Sequence, residues 1–187
     1  MVLSLLLFVA LYKLQEQIDA EHDSAPNLVV RVSSPLRTNV GADFYHLNIA
    51  NVPKGIFARQ TAEKVAGTVE ICAEDGQPLR PPRVHRWAAS PQIPGLPQVA
   101  DLQLPIDIDP NGVEHRLDIV LKFDGDSDFY THNNESVAKY GFKDPEYRFG
   151  PGPYIANIRI QGKNAAARFS CRIVNSGANS KLSITLI

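Results

Sequence analysis

From Asn27 onward, apolar and polar residues alternate in short runs separated by turn-forming residues. That period of two is the signature of β-strands with one face turned inward. Phe44–Ala50 sets Tyr45, Leu47 and Ile49 on one face and Phe44, His46 and Asn48 on the other. His115–Phe123 is the cleanest case, with Leu117, Ile119, Leu121 and Phe123 alternating with Arg116, Asp118, Val120 and Lys122. Tyr154, Ala156, Ile158 and Ile160 alternate in the same way with Ile155, Asn157 and Arg159. Leu28–Val32, Val65–Ala73, Arg83–Ala88, Leu102–Ile108, Ala167–Val174 and Leu182–Ile187 complete about nine expected strands. No convincing helix lies between them, and parallel strands need crossover helices. The pattern therefore predicts an all-β, antiparallel β-sandwich of about seven to nine strands.

The first residues follow a different rule. Residues 2–12, VLSLLLFVALY, are apolar except for Ser4. Eleven residues of helix rise only ~16 Å, whereas a bilayer core takes about 20 residues. Three readings compete. A cleaved signal peptide needs a basic leading region and a small-x-small cleavage site, and neither is present. A buried amphipathic helix needs a polar side, and this run is apolar all round. The favoured reading is the C-terminal half of a membrane helix, with Lys13 placed as a snorkelling cation at the interface. The polar stretch Lys13–Asp23 continues the helix into water, with Leu14 and Ile18 on one face. Pro26 ends it. Residues 1–25 are thus expected to be a hydrophobic and juxtamembrane tether, and residues 26–187 the sandwich.

Composition narrows the function classes. Hydrophobic residues make up 44% and charged residues 21%, enough for a real core. With 19 basic and 20 acidic residues and no basic block, the footprint of a nucleic-acid binder is absent. The two cysteines fall on opposite faces of their strands: Cys72 shares its face with Thr68 and Glu70, while Cys171 shares its face with Phe169 and Ile173. A disulfide needs convergent Cβ vectors, so the expectation is two free thiols, which lean towards a reducing compartment.

Two connections exceed the usual ~4–6 residues. Ser90–Ala100 carries three prolines and reads as an extended surface loop. Asp124–Pro153 contains the aromatics Tyr130, Tyr140, Phe142, Tyr147 and Phe149, which either fold over the sandwich or bind something. At its start, Asp124, Asp126, Asp128 and Glu135 stand at loop positions 1, 3, 5 and 12, the spacing of a calcium-binding EF-hand loop. Phe129 stands where that loop needs Gly, and a strand precedes it. The plainer alternative is a solvated acidic turn. Arg80, Arg83 and Arg86 stand just before the only Trp, Trp87, as in a recognition edge. The favoured alternative is that Trp87 packs on the sheet beneath arginine stems.

Catalytic signals are missing. The five histidines show no metal-ligand spacing, and no G-x-S-x-G or paired Cys–base motif occurs. No acid, base and nucleophile are expected to converge, so no enzyme is expected and no cofactor beyond the calcium that the acidic loop would suit.

Three segments carry a resemblance. Ala25-Pro26-Asn27-Leu28-Val29-Val30 is followed by His46-Leu47-Asn48-Ile49-Ala50-Asn51 and then by Ala62-Glu63-Lys64-Val65-Ala66-Gly67-Thr68-Val69-Glu70-Ile71. Near the end, Gly152-Pro153-Tyr154 precedes Ile158-Arg159-Ile160. This order resembles that of uncharacterised prokaryotic proteins in which an N-terminal apolar segment tethers an immunoglobulin-like domain to a membrane. The resemblance implies an immunoglobulin-like sandwich on the cytoplasmic side and brings no catalytic residues. The paired core cysteines of antibody domains are lacking. The expected function is a non-catalytic, membrane-tethered module that binds a protein partner through loops 90–100 and 124–152. The alternative is a carbohydrate- or ligand-binding sandwich that uses the loop aromatics.

Overall fold

The computed structural model describes residues 7–17, 25–39, 41–54, 60–89, 105–133, 136 and 140–187. A helix, α1, covers residues 7–17 with every side chain exposed. The expectation of a membrane-spanning helix is corrected here: among the described residues no helix is long and apolar enough to cross a membrane. The physical reason is length, since residues 7–17 rise only ~16 Å and the polar residues begin at Lys13. Residues 2–6 and 18–24, which the tether reading also uses, lie outside the described residues.

The rest is antiparallel β-structure in two six-stranded sheets. The first contains β1 (Leu28–Val32), β2 (Leu36–Arg37), β3 (Ala42–Asn51), β7 (His115–Phe123), β8 (Phe129–Thr131) and β9 (Arg148–Phe149). Its order is β1-β3-β7-β8-β9, with β2 also on β3. The second contains β4 (Ala62–Ala73), β5 (Arg83–His85), β6 (Ile106–Ile108), β10 (Gly152–Gln161), β11 (Ala166–Asn175) and β12 (Ser183–Leu186). Its order is β12-β11-β10-β4-β5, with β6 also on β4. Each expected strand has a counterpart, but Arg83–Ala88 is a strand only over Arg83–His85, and Leu102–Leu104 and the loop Ser90–Ala100 lie outside the described residues. Alternation missed β2, β8 and β9, which are too short to show a period.

The main core lies between the sheets. Tyr45, Leu47 and Ile49 of β3 meet Val69 and Ile71 of β4 and Ile158 and Ile160 of β10 within it. A second apolar cluster, Ala42, Phe44, Leu121 and Tyr130, covers the opposite face of the first sheet. Both cysteines are free and buried. They flank β10 at adjacent positions, Cys72 opposite Ile155 and Cys171 opposite Ala156, so their side chains point to opposite faces of the second sheet.

Two local features distort the regular ladders. The β3–β7 register shifts at Tyr45/His46, so that Tyr45 faces Val120 while His46 faces Asp118 and Ile119 is the extra residue. A bulge of this kind reverses the phase of a strand. It separates Asp118 from Val120 and Lys122, which strict alternation places on one face. Val120 enters the main core, and Lys122 reaches inward to Asn175 Oδ1 at 2.6 Å and the Gly177 carbonyl at 2.6 Å. The second feature is a crossing. β5 pairs with β4, but the chain then leaves for the other sheet: Asp118 N–H donates to Arg86 O at 3.0 Å and Ala88 N–H to Arg116 O at 2.8 Å. Gly67 makes room at this corner, because a Cβ there would lie 2.6 Å from Leu117 of the facing sheet.

Candidate functional site

The bulge turns Asp118 to the outer face of the first sheet, opposite His46. The crossing delivers His85 and Arg86 to the same place, and the chain leaving β8 adds His132. Asp118, His46, His85, His132 and Arg86 are all buried, none more than 4% exposed. His46 Nδ1–H donates to Asp118 Oδ1 at 2.6 Å, and His132 Nε2 lies 3.3 Å from Oδ2. Arg86 Nε sits 3.2 Å from the same Oδ2, and His85 Nδ1–H donates to the Asp118 carbonyl at 2.9 Å. One aspartate thus anchors side chains from three other segments.

The electrostatics arise from burial and partners. Burial alone would raise the Asp118 carboxyl, but hydrogen bonds from His132 and His46 overcome it and hold it well below the usual carboxylate range. Burial also pushes His85 down to about 4 and lowers His132 against the pull of Asp118. The His132–Asp118 contact is accordingly a neutral imidazole donating to a carboxylate. Arg86 supplies the counter-charge. His46 Nε2, His85 Nε2 and His132 Nδ1 are buried without a hydrogen-bond partner among the described residues. No hydroxyl or thiol of a described residue is therefore bonded to these nitrogens.

Aromatic rings seal the cluster. Phe44 meets His132 edge-on at 4.9 Å, and Phe142 stacks on it at 5.5 Å. A second polar group pins the chain alongside: Arg83 Nη1 donates to Asp144 Oδ2 at 2.7 Å, and Ser136 Oγ reaches the same oxygen at 3.3 Å. Asp144 also caps the short 3-10 turn Pro145–Tyr147 by accepting from Glu146 N–H at 3.0 Å.

The residues singled out in the sequence are distributed differently. Trp87 is a core side chain, 2% exposed, and its Nε1–H donates to Val65 O at 3.0 Å. Arg86 is buried on Asp118, and Arg83 lies over the Tyr147 ring at 3.5 Å, so the three residues form no exposed recognition edge. Tyr130, Tyr147 and Phe149 are buried. Phe149 stacks on Phe129 at 5.2 Å, and Tyr147 O–H donates to Pro81 O at 3.0 Å. Phe142 is half-buried against Phe44, and Tyr140 is half-buried as well. Tyr130, Tyr147 and Phe149 therefore fold inward and build no open platform.

The acidic turn is taken up in ion pairs. Its carboxylates diverge towards separate cations: Asp124 takes both Arg37 Nη atoms, Asp126 takes Lys143 Nζ at 2.8 Å, and Asp128 takes Arg148 Nε at 2.8 Å. The Arg37 hydrogen bonds hold the Asp124 carboxyl below its ordinary value. Glu135 lies outside the described residues, and no group of three metal-ligating side chains occurs among those described. Strand alternation could not find the actual cluster, because Asp118 reads as a solvent-face residue unless the bulge and the cover are known. One signal was present: Asp118 is an acid flanked on both sides by large aliphatic residues.

No protein family, characterised protein or solved structure matches this chain.

Proposed function

We propose that the chain is a non-catalytic interaction module, an immunoglobulin-like sandwich held against a membrane surface by its N-terminal helix. One observation carries this reading: the apolar side chains at the start of α1 stand exposed. Leu7 is 63% exposed, Phe8 67%, Leu11 57% and Tyr12 60%. Contiguous exposed apolar side chains of this size mark a membrane or protein contact. An eleven-residue helix lies in the interface or continues a longer apolar segment, and Lys13 sits at its polar end. The antiparallel two-sheet architecture supports the immunoglobulin-like assignment. The lone basic residue after the apolar run and the two free buried thiols favour the cytoplasmic side. The ligand-binding alternative has less support, since Tyr130, Tyr147 and Phe149 are packed inward.

Vesicle flotation tests the proposal. The full chain should float with phosphatidylcholine–phosphatidylglycerol vesicles, and the double variant Leu7→Glu, Leu11→Glu should stay at the bottom of the gradient. Wild-type protein that stays at the bottom as a monomer ends the reading.

A further inference from the structure

The bulge that separates Asp118 from Lys122 sends the lysine inward, to the turn that follows β11. This turn is built of small and polar residues and takes left-handed backbone at Gly177, φ 92°, and Asn179, φ 60°, which glycine and asparagine tolerate. Folded so, it offers acceptors to Lys122, whose Nζ donates to Asn175 Oδ1 at 2.6 Å, Gly177 O at 2.6 Å and Ser180 Oγ at 3.3 Å. All three are neutral. Lys122 is 4% exposed, and among the described residues no carboxylate lies within ion-pair distance of it. Buried ammonium groups are ordinarily paired.

The neighbouring carboxylates are already taken. Asp126 and Asp128, whose field reaches Lys122, belong to Lys143 and Arg148. Asp124 is held by Arg37, and Asp43 by Arg37 and Lys181. Five cations thus face four carboxylates, and the one left over is the buried ammonium. A cavity of about 280 Å³ adjoins it, lined also by Tyr45, Asn179 and Lys181. Tyr45 is 3% exposed; its Oη accepts Leu182 N–H at 2.9 Å, and its own proton has no acceptor among the described residues.

We propose that this cavity is a binding site for a small monocarboxylate, held by charge-assisted hydrogen bonds from Lys122 Nζ and the Tyr45 hydroxyl. The carboxylate replaces the long Ser180 contact, and Ser180 Oγ keeps its bond to Gly177 O at 2.6 Å. One negative charge balances the surplus. A dianion overshoots it beside Asp43 and Asp124, which line the same cavity. The volume lies near the lower limit of ligand pockets and suits an acid of a few carbons. The site uses neither α1 nor the loop aromatics, so it stands or falls apart from the membrane reading.

The test is an amide NMR titration of the full chain with sodium acetate, against sodium sulfate at equal ionic strength. Acetate should give saturable shifts at Lys122, Asn179, Ser180 and Lys181 with a Kd of about 1–10 mM, and sulfate none. Lys122→Met should abolish saturation, and Tyr45→Phe should weaken binding about ten-fold. Lys163→Met, in the β10–β11 turn, should bind as wild type. Should Lys122→Met not fold, Tyr45→Phe decides. Absence of a saturable shift, shifts centred outside this turn, equal response to sulfate, or undiminished binding in either cavity variant each overturns the site.

Discussion

The two sheets solve the same problem in opposite ways. In the second, β4 and β10 bury alternate residues and leave the outer face in water, as antiparallel sheets commonly do. In the first, β3 is buried at every position except Asn48, and β7 from Leu117 to Lys122 without a break. The outer face of the second sheet can carry exposed Arg159 directly opposite exposed Arg168. The outer face of the first cannot hold a charge without a partner, because His132 and Phe142 pack over Phe44 there. The difference is the cover, and the energetics of a side chain depend on whether it lies under that cover.

The largest test of this contrast is Asp118→Ala. It removes the carboxylate 3.2 Å from buried Arg86, and losing one partner of a buried pair costs about 3–5 kcal/mol. Urea unfolding should show that loss; a change under ~1 kcal/mol would mean that the face is wetter than its burial indicates. Lys122→Met comes next. It leaves Asn175 Oδ1 and the Gly177 carbonyl without their ammonium donor, for about 1–3 kcal/mol by the same measurement. An unchanged midpoint would show that these acceptors find water. The smallest effect belongs to the open face. Arg168→Thr removes a like-charge cross-strand contact with Arg159, and stability should rise by about 0.2–1 kcal/mol at low salt and less at high salt. A loss of stability would reveal an anionic partner for these arginines.

The same contrast explains what could be read in advance. Strand positions were legible, and so were the inward residues of the second sheet, because one face in water writes period two into the sequence. Tyr45, Leu47 and Ile49 also share one face in the alternation, and the main core contains all three. His115–Phe123 misled for two reasons. Its bulge at Ile119 reverses the phase, and its outer face is covered by Arg86 from earlier in the chain and by His132 from later, which no local window carries together. The aromatics of the 124–152 connection were visible as a group that folds over or binds. Choosing between these required knowing that Phe142 meets Phe44 and His132. The acid spacing of Asp124, Asp126 and Asp128 matched a metal loop in one dimension, but Arg37, Lys143 and Arg148 approach from elsewhere in the chain.

The run from Arg86 to Ala88 has a mechanical consequence. It leaves a strand in register with β4 and ends hydrogen-bonded to β7, so it works as a stitch through both layers. Neither layer can peel away without stripping the other of backbone partners. Melting of the sandwich should therefore be a single all-or-none event, with calorimetric and van't Hoff enthalpies in agreement.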